Sequence, residues 1–242
     1  MGKKDFSIGD AVRFGWDTMK NNLGFLIPAV LIMWLAAAIP SGLSSFSYRM
    51  PLVAAAIYSL IFGIISFVIG MFVNMAQIKV GLRFSRGETA DFPDLFNEYP
   101  RFWDFLLGSI LYGLIVLGGL ILLIIPGIYW AIKYHFYGYL IIDQGMGPVD
   151  AIKKSGELTD GVKWDLLVFW LALLGIYILG FLACCIGVLF AIPVILVAVA
   201  YVYRTLLIAT MTPQAQQAPP VQAPGPPPGQ PQPPAAPPGP PA

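Results

Sequence analysis

Two side chains capable of chemistry stand out in the stretch IIPGIYWAIKYHFYGYLIID, Ile124 to Asp143: Lys133, and His135, the chain's only histidine. A histidine can move protons or ligate metal near neutral pH. A lysine offers a point charge or a nucleophile. On a continuous helix the two lie about 200° apart, on nearly opposite faces, so they form no dyad. Lys133 falls about 10 Å along the helix from Pro126. Its stem is expected to snorkel toward the outer surface, flanked by Tyr129 and Tyr137. His135 shares its face with Ala131, Gly138 and Tyr139, which points to contact with a neighbouring helix. All thirteen acidic residues fall at helix ends or in polar segments, so no intramembrane carboxylate faces Lys133.

A second set sits upstream. Ser59, Gly63, Ser66, Gly70, Asn74, Gln77 and Gly81 fall within a sector of about 80° on one helix, and Ala56 extends it. Small residues let helices approach closely in lipid, and Ser, Asn and Gln bond across them. The stripe is therefore either a packing seam or the wall of a polar cavity. Lys133, His135, Ser66, Asn74 and Gln77 form the candidate intramembrane polar site. No catalytic set accompanies them: GxSxG, HExxH and phosphate-loop patterns are missing. No catalytic residue, cofactor or metal site is expected. Cys184 and Cys185 are adjacent and read as apolar filler.

The elements that must carry these residues follow from composition. The 242-residue chain is 57% hydrophobic and 11% charged, with mean hydropathy +0.75. A soluble domain carries about 25% charged residues, so the solvent here is lipid. With net charge +1, nothing favours a nucleic-acid partner. A crossing needs about 20 apolar residues. Leu23–Tyr48 and Pro51–Ile78 supply one helix each, the first ending in the polar turn SGLSSFSY. Leu166–Tyr203 is 38 residues without a charge and must fold back, near Cys184–Gly187. Phe105–Ile142 is as long, with Lys133 inside, and should turn near Pro126-Gly127. The expected fold is an all-α membrane protein of six transmembrane helices in three hairpins. Residues 1–22 form an amphipathic segment, 23–210 the membrane domain and 211–242 a disordered tail.

The second and third hairpins look like a parallel repeat. Trp103-Asp104-Phe105-Leu106-Leu107 matches Trp164-Asp165-Leu166-Leu167. IPGIYWAIKYHFYGYL from Ile125 matches IPVILVAVAYVYRTLL from Ile192.

Twelve Lys and Arg lie on one expected side and Arg49 alone on the other. Positive charge marks the cytoplasmic face, so both termini are expected inside a bacterial inner membrane. SIGDAVRFGWDTMK reads as an interfacial helix with Ser7 as N-cap and Ile8, Val12, Trp16 and Met19 on its apolar face. Gly147-Pro148 followed by VDAIKKSGELTDG reads as a short helix with proline at its first position. Of the thirty residues Pro213–Ala242, fourteen are proline and none is charged. Such chain cannot build a core and is expected as extended polyproline-like tail.

The chain resembles an uncharacterised family of bacterial six-helix membrane proteins related to the membrane domain attached to glycerophosphoryl diester phosphodiesterases. Three stretches carry the likeness: IGDAVRFGWDTMKNNLGFLI, IPGIYWAIKYHFYGYLIIDQGMGPVDAIKKSGELTDGVKWDLL and IPVILVAVAYVYRTLL. The resemblance implies the six-helix fold over most of residues 5–210 and no activity, since the phosphodiesterase domain is absent. The expected partners are the lipid bilayer and a cytoplasmic protein that binds the proline-rich tail. The expected role is a non-enzymatic interaction or assembly protein. The alternative is a small transporter or lipid-handling protein with a polar cavity between the second and fourth helices.

Overall fold

The computed structural model describes residues 6–44, 51–92, 99–182 and 186–217. The described residues form helices α1 (Ile8–Asn21), α2 (Leu23–Ser44), α3 (Leu52–Ser85), α4 (Phe102–Leu122), α5 (Ile124–Lys133), α6 (Tyr137–Gln144), α7 (Pro148–Leu158), α8 (Lys163–Leu182) and α9 (Ile186–Gln217). Four of them, α3, α4, α8 and Gly187–Met211 of α9, are long and apolar enough to cross a membrane. α1 and α2 qualify only together, as a pair bent by 98°.

α1 starts as its sequence dictates. The Ser7 hydroxyl accepts a hydrogen bond from the Asp10 N–H at 3.2 Å, an N-cap. It stops at Asn22, whose side-chain amide donates to Thr18 O at 2.9 Å. Of the expected apolar face, Ile8 and Val12 pack against the core. Ala11, Gly15 and Met19 are buried, while Trp16 is 45% exposed with the Lys20 ammonium 5.2 Å from its ring. Small residues win because α1 docks directly on the α9 backbone: a Cβ on Gly15 would stand 2.6 Å from Val194 O. Gly15→Ala is therefore a test of sign. In an open helix the change gains about 1 kcal/mol. Here overpacking is expected to reverse that to a loss of about 2 kcal/mol, read as a lower unfolding midpoint in detergent.

α4 and α5 form a hairpin, but its turn lies earlier than Pro126-Gly127. Leu123 is extended (φ −165, ψ 150). Pro126 then sits in the first turn of α5, where its missing N–H removes no helical bond. Gly127 serves packing instead: a Cβ there would meet Leu120 Cδ2 at 2.5 Å. The expected fourth helix is also not continuous. It is divided into α5 and α6 by a turn at Tyr134–Phe136. α8 and α9 separate across residues 183–185, where the fold-back was expected, and meet at Gly180 and Gly187.

α9 is the axis. Val197, Ala198, Ala200 and Val202 are fully buried. One core cluster joins its second half to α1, α3, α4, α6, α7 and α8, and a second joins its first half to α2 and α3. The opposite ends of the long helices splay outward and expose bare hydrocarbon: Leu52 is 86% exposed, Ile121 76% and Ile125 81%. Only lipid tolerates apolar surface on this scale. α9 continues to Gln217, past the boundary expected at residue 211. The rest of the expected tail, 218–242, lies outside the described residues, as do Cys184 and Cys185.

Candidate functional site: a cavity around the broken helix

The break between α5 and α6 builds the site. Three backbone or side-chain contacts from α7 hold it open. Phe136 N–H donates to Ser155 Oγ at 3.1 Å. The Lys133 carbonyl accepts from Ser155 Oγ at 3.2 Å and from Thr159 Oγ1, just past α7, at 3.0 Å. Helical backbone interrupted at membrane depth is tolerated where a neighbour re-satisfies the freed groups. Both hydroxyl residues are fully buried. Gly156 provides the room: a Cβ there would lie 3.2 Å from Lys133 Cε and 3.3 Å from Tyr134 Cε1.

The turn swings His135 onto α8, edge to face with Trp170 at 4.4 Å. Its ring then lines a cavity of about 460 Å³ whose wall also includes Asn74 and Gln77 of α3, Tyr112 of α4 and Tyr137 of α6. None of the residues lining it is charged. Two tyrosines are already committed. Tyr112 and Tyr137 stack at 4.9 Å. The Tyr137 hydroxyl bonds Ser109 Oγ at 2.9 Å, and the Tyr112 hydroxyl donates to Ala131 O at 3.1 Å. The side chains of Asn74, Gln77 and His135 are different. Among the described residues none of the three makes a hydrogen bond, and no buried side-chain N or O lacks a partner. All three residues line the cavity. Asn74 is exposed even though it sits in the middle of an apolar helix.

Of the five residues singled out from sequence, the cavity thus gathers Asn74, Gln77 and His135. Ser66 does not line it; it lies about 12 Å further along α3, half-buried where the helices have splayed. Lys133 does not line it either. α5 ends at Lys133, whose stem turns back along Gly156 of α7 with Nζ 5.3 Å from the Tyr134 ring. Trp170 and the α7 hydroxyls carried no site signal in the sequence. Ser155 did lie in the AIKKSGEL run that carried the family likeness, and its role at the break gives that run a structural reason. Among the described residues, no group of three or more His, Cys, Asp or Glu could hold a metal.

A second polar cluster closes the end of the bundle where α3 and α6 finish. The Asp143 carboxylate, 7% exposed, pairs with Arg86 and accepts from the Tyr203 hydroxyl at 3.2 Å. Arg101 donates to the carbonyls of Ile141, at 3.2 Å, and Ile142 at the α6 C-terminus. Arg204 donates to Ser85 O at 2.5 Å.

Residues 114–209 match a family described as "Protein of unknown function (DUF975)". The matched stretch contains the broken helix, α7, α8 and the membrane part of α9, but not Asn74 or Gln77. Three relatives are each 28% identical, the match covering 90% of this chain and 74% of their own length. They are the uncharacterized proteins Mb2590 of Mycobacterium bovis, and MT2637 and Rv2560 of Mycobacterium tuberculosis. None of these matches bears on a glycerophosphoryl diester phosphodiesterase membrane domain. No solved structure matches the chain.

Proposed function

We propose that this chain is an integral membrane protein that holds an uncharged amphiphile in the cavity beside the broken helix. One observation carries the reading: Asn74, Gln77 and His135, without hydrogen-bond partners among the described residues, line one aromatic-walled space at membrane depth. Unpaired amides are expensive in an apolar medium, so such groups persist where an occupant or water satisfies them. Donors and acceptors without a formal charge select a neutral headgroup bearing hydroxyl or carbonyl oxygens. The aromatic wall selects a planar or branched hydrocarbon body. This is lipid handling, the alternative expected from sequence. The assembly role would act through the cytoplasmic segments and the tail, of which residues 218–242 lie outside the described ones.

The reading includes six crossings, with α2 and the α5–α6 pair joining the four long helices, and both termini on the cytoplasmic side of an inner membrane. The arginine- and lysine-rich segments support that orientation.

Solvent extraction of protein purified in mild detergent, followed by mass spectrometry, tests the function. A neutral amphiphile near one per chain is expected. Ile195→Trp, which fills the cavity from α9, should deplete it at least fivefold at unchanged yield. Equal lipid content in both proteins would sink the proposal. Single cysteines at positions 74 and 135, in a background without Cys184 and Cys185, should be slow to label with an impermeant thiol reagent while the amphiphile is bound and faster in the extracted protein.

A further inference from the structure

A groove of about 540 Å³ runs between α5 and the start of α8. Ile125, Ile128 and Ile132 line it at i, i+3 and i+7 of α5, so they form one apolar stripe. Trp164 and Leu167 supply the facing wall from α8. Ile125 and Trp164 are both largely exposed, which leaves the groove open to the hydrocarbon around the protein. In this lining the ionisable side chains are Tyr129 and Lys163. Lys163 Nζ donates to the Tyr129 hydroxyl at 2.6 Å and pairs with Asp160 Oδ1 at 2.8 Å. An ammonium has three N–H donors, and a phenol has one O–H besides its acceptor lone pairs. Two of the ammonium's donors are thus taken. The phenol is taken only as an acceptor, so its own hydrogen is still to be given. Among the described residues neither Lys163 nor Tyr129 has a further hydrogen-bond partner. Two neighbouring donors therefore remain beside an isoleucine wall, where unmade hydrogen bonds are costly. Asp160 is 73% exposed, in the polar turn after α7, and an exposed pairing of this kind offsets little of the ammonium's charge.

We propose that this groove binds a long-chain fatty acid, its chain along the α5 isoleucines and its carboxylate on Lys163 and Tyr129. Two adjacent donors match the two oxygens of a carboxylate, and the ammonium makes the bonds charge-assisted. The volume is about eighteen times that of a liquid water, which suits one long alkyl chain rather than the two of a phospholipid. No residue lines both this groove and the aromatic cavity, so the site stands apart from the reading given to that cavity.

Native mass spectrometry of the full chain in non-ionic detergent, titrated with palmitate or with hexadecanol, tests the assignment. The two probes share a chain and differ in the carboxylate. Saturable binding of palmitate is expected, with hexadecanol roughly fivefold weaker or more. Tyr129→Phe keeps the ring, removes the hydroxyl and should weaken palmitate roughly fivefold. Leu167→Trp fills the groove from α8 and should weaken it at least as much, so the test survives if one variant fails to fold. Ile195→Trp fills the aromatic cavity instead and should leave palmitate binding unchanged. Lys20→Gln removes a charge from α1, outside the groove, and should also change nothing. Equal binding of the two probes overturns the site, as does palmitate binding that neither groove variant lowers. Weakening by Ile195→Trp would move the acid to the aromatic cavity, and weakening by Lys20→Gln as large as that by Tyr129→Phe would make the effect bulk electrostatics. Phosphatidylglycerol displacing palmitate at equal concentration would assign the groove to a phospholipid. Each of these three results also overturns the proposal.

Discussion

Ser155→Ala combined with Thr159→Val is expected to destabilise the protein by about 4 kcal/mol, more than either change alone. The two hydroxyls serve the same break in the α5–α6 helix. Removing both leaves the Lys133 carbonyl without its donors from α7 and Phe136 N–H without its acceptor. Each buried group left unpaired costs about 1–3 kcal/mol, and lipid offers no water to replace it. With Thr159→Val alone, Ser155 still bonds the carbonyl, so a loss of about 1 kcal/mol is expected. Unfolding midpoints of the three variants in one detergent check this. If the double variant matches Thr159→Val, the break is held by something other than α7. A second consequence is geometric. Without the α7 anchors the segment Tyr134–Phe136 is free to join α5 to α6 as one helix. His135 would then leave Trp170, so the indole fluorescence of Trp170 should shift as well.

How much of this was legible follows from where the determining forces act. Local signals were readable. Ser7 caps α1, Pro148 begins α7, and the uncharged 38-residue run divides beside Cys184, because capping, proline sterics and span length act within a few residues. The break at Tyr134–Phe136 was not readable as a break. Apolar and aromatic residues continue through it without a glycine or proline, and the hydroxyls that stabilise it lie about 20 residues downstream. The turn near Pro126 was misplaced for a related reason: proline marks a boundary but is equally at home just after one. On α1 the apolar face was readable, but the close approach of Gly15 to α9 was not, because only the partner helix imposes it.

The candidate site divides along the same line. Asn74, Gln77 and His135 were conspicuous because polar groups in lipid are costly wherever they point. Which of the polar residues meet was tertiary information. Ser66 belongs to the same α3 stripe as Asn74, yet the helices have diverged by its level. Lys133 follows the α5 terminus into contact with α7. The two segments matched in the sequence can be compared in the fold. Phe136 and Tyr203 occupy matching positions of the two IP-initiated segments, and their rings meet in the core at 5.9 Å. One copy is broken and the other, α9, is continuous through Pro193. The broken copy lacks the unbroken run that makes α9 an axis, and the space beside its turn is the cavity.

Asn74→Leu combined with Gln77→Leu is the substitution that separates a binding site from a packing seam, because the two readings predict opposite signs. In a seam these amides would bond across helices, and leucine would cost stability. Here neither amide has a partner among the described residues, and both residues line the cavity. Replacing them removes polar groups that the empty protein leaves unsatisfied. The unfolding midpoint of the extracted, ligand-free protein should therefore hold or rise. Retention of the amphiphile should fall, since each neutral hydrogen bond lost is worth about 0.5–1.5 kcal/mol. Two such bonds correspond to roughly a tenfold weaker hold. His135→Phe extends the same logic: the ring contact with Trp170 is preserved while the hydrogen-bonding nitrogens are lost. It should weaken retention a further several-fold at constant stability. A fall in stability with retention unchanged would make Asn74 and Gln77 structural groups and return α3 to the seam.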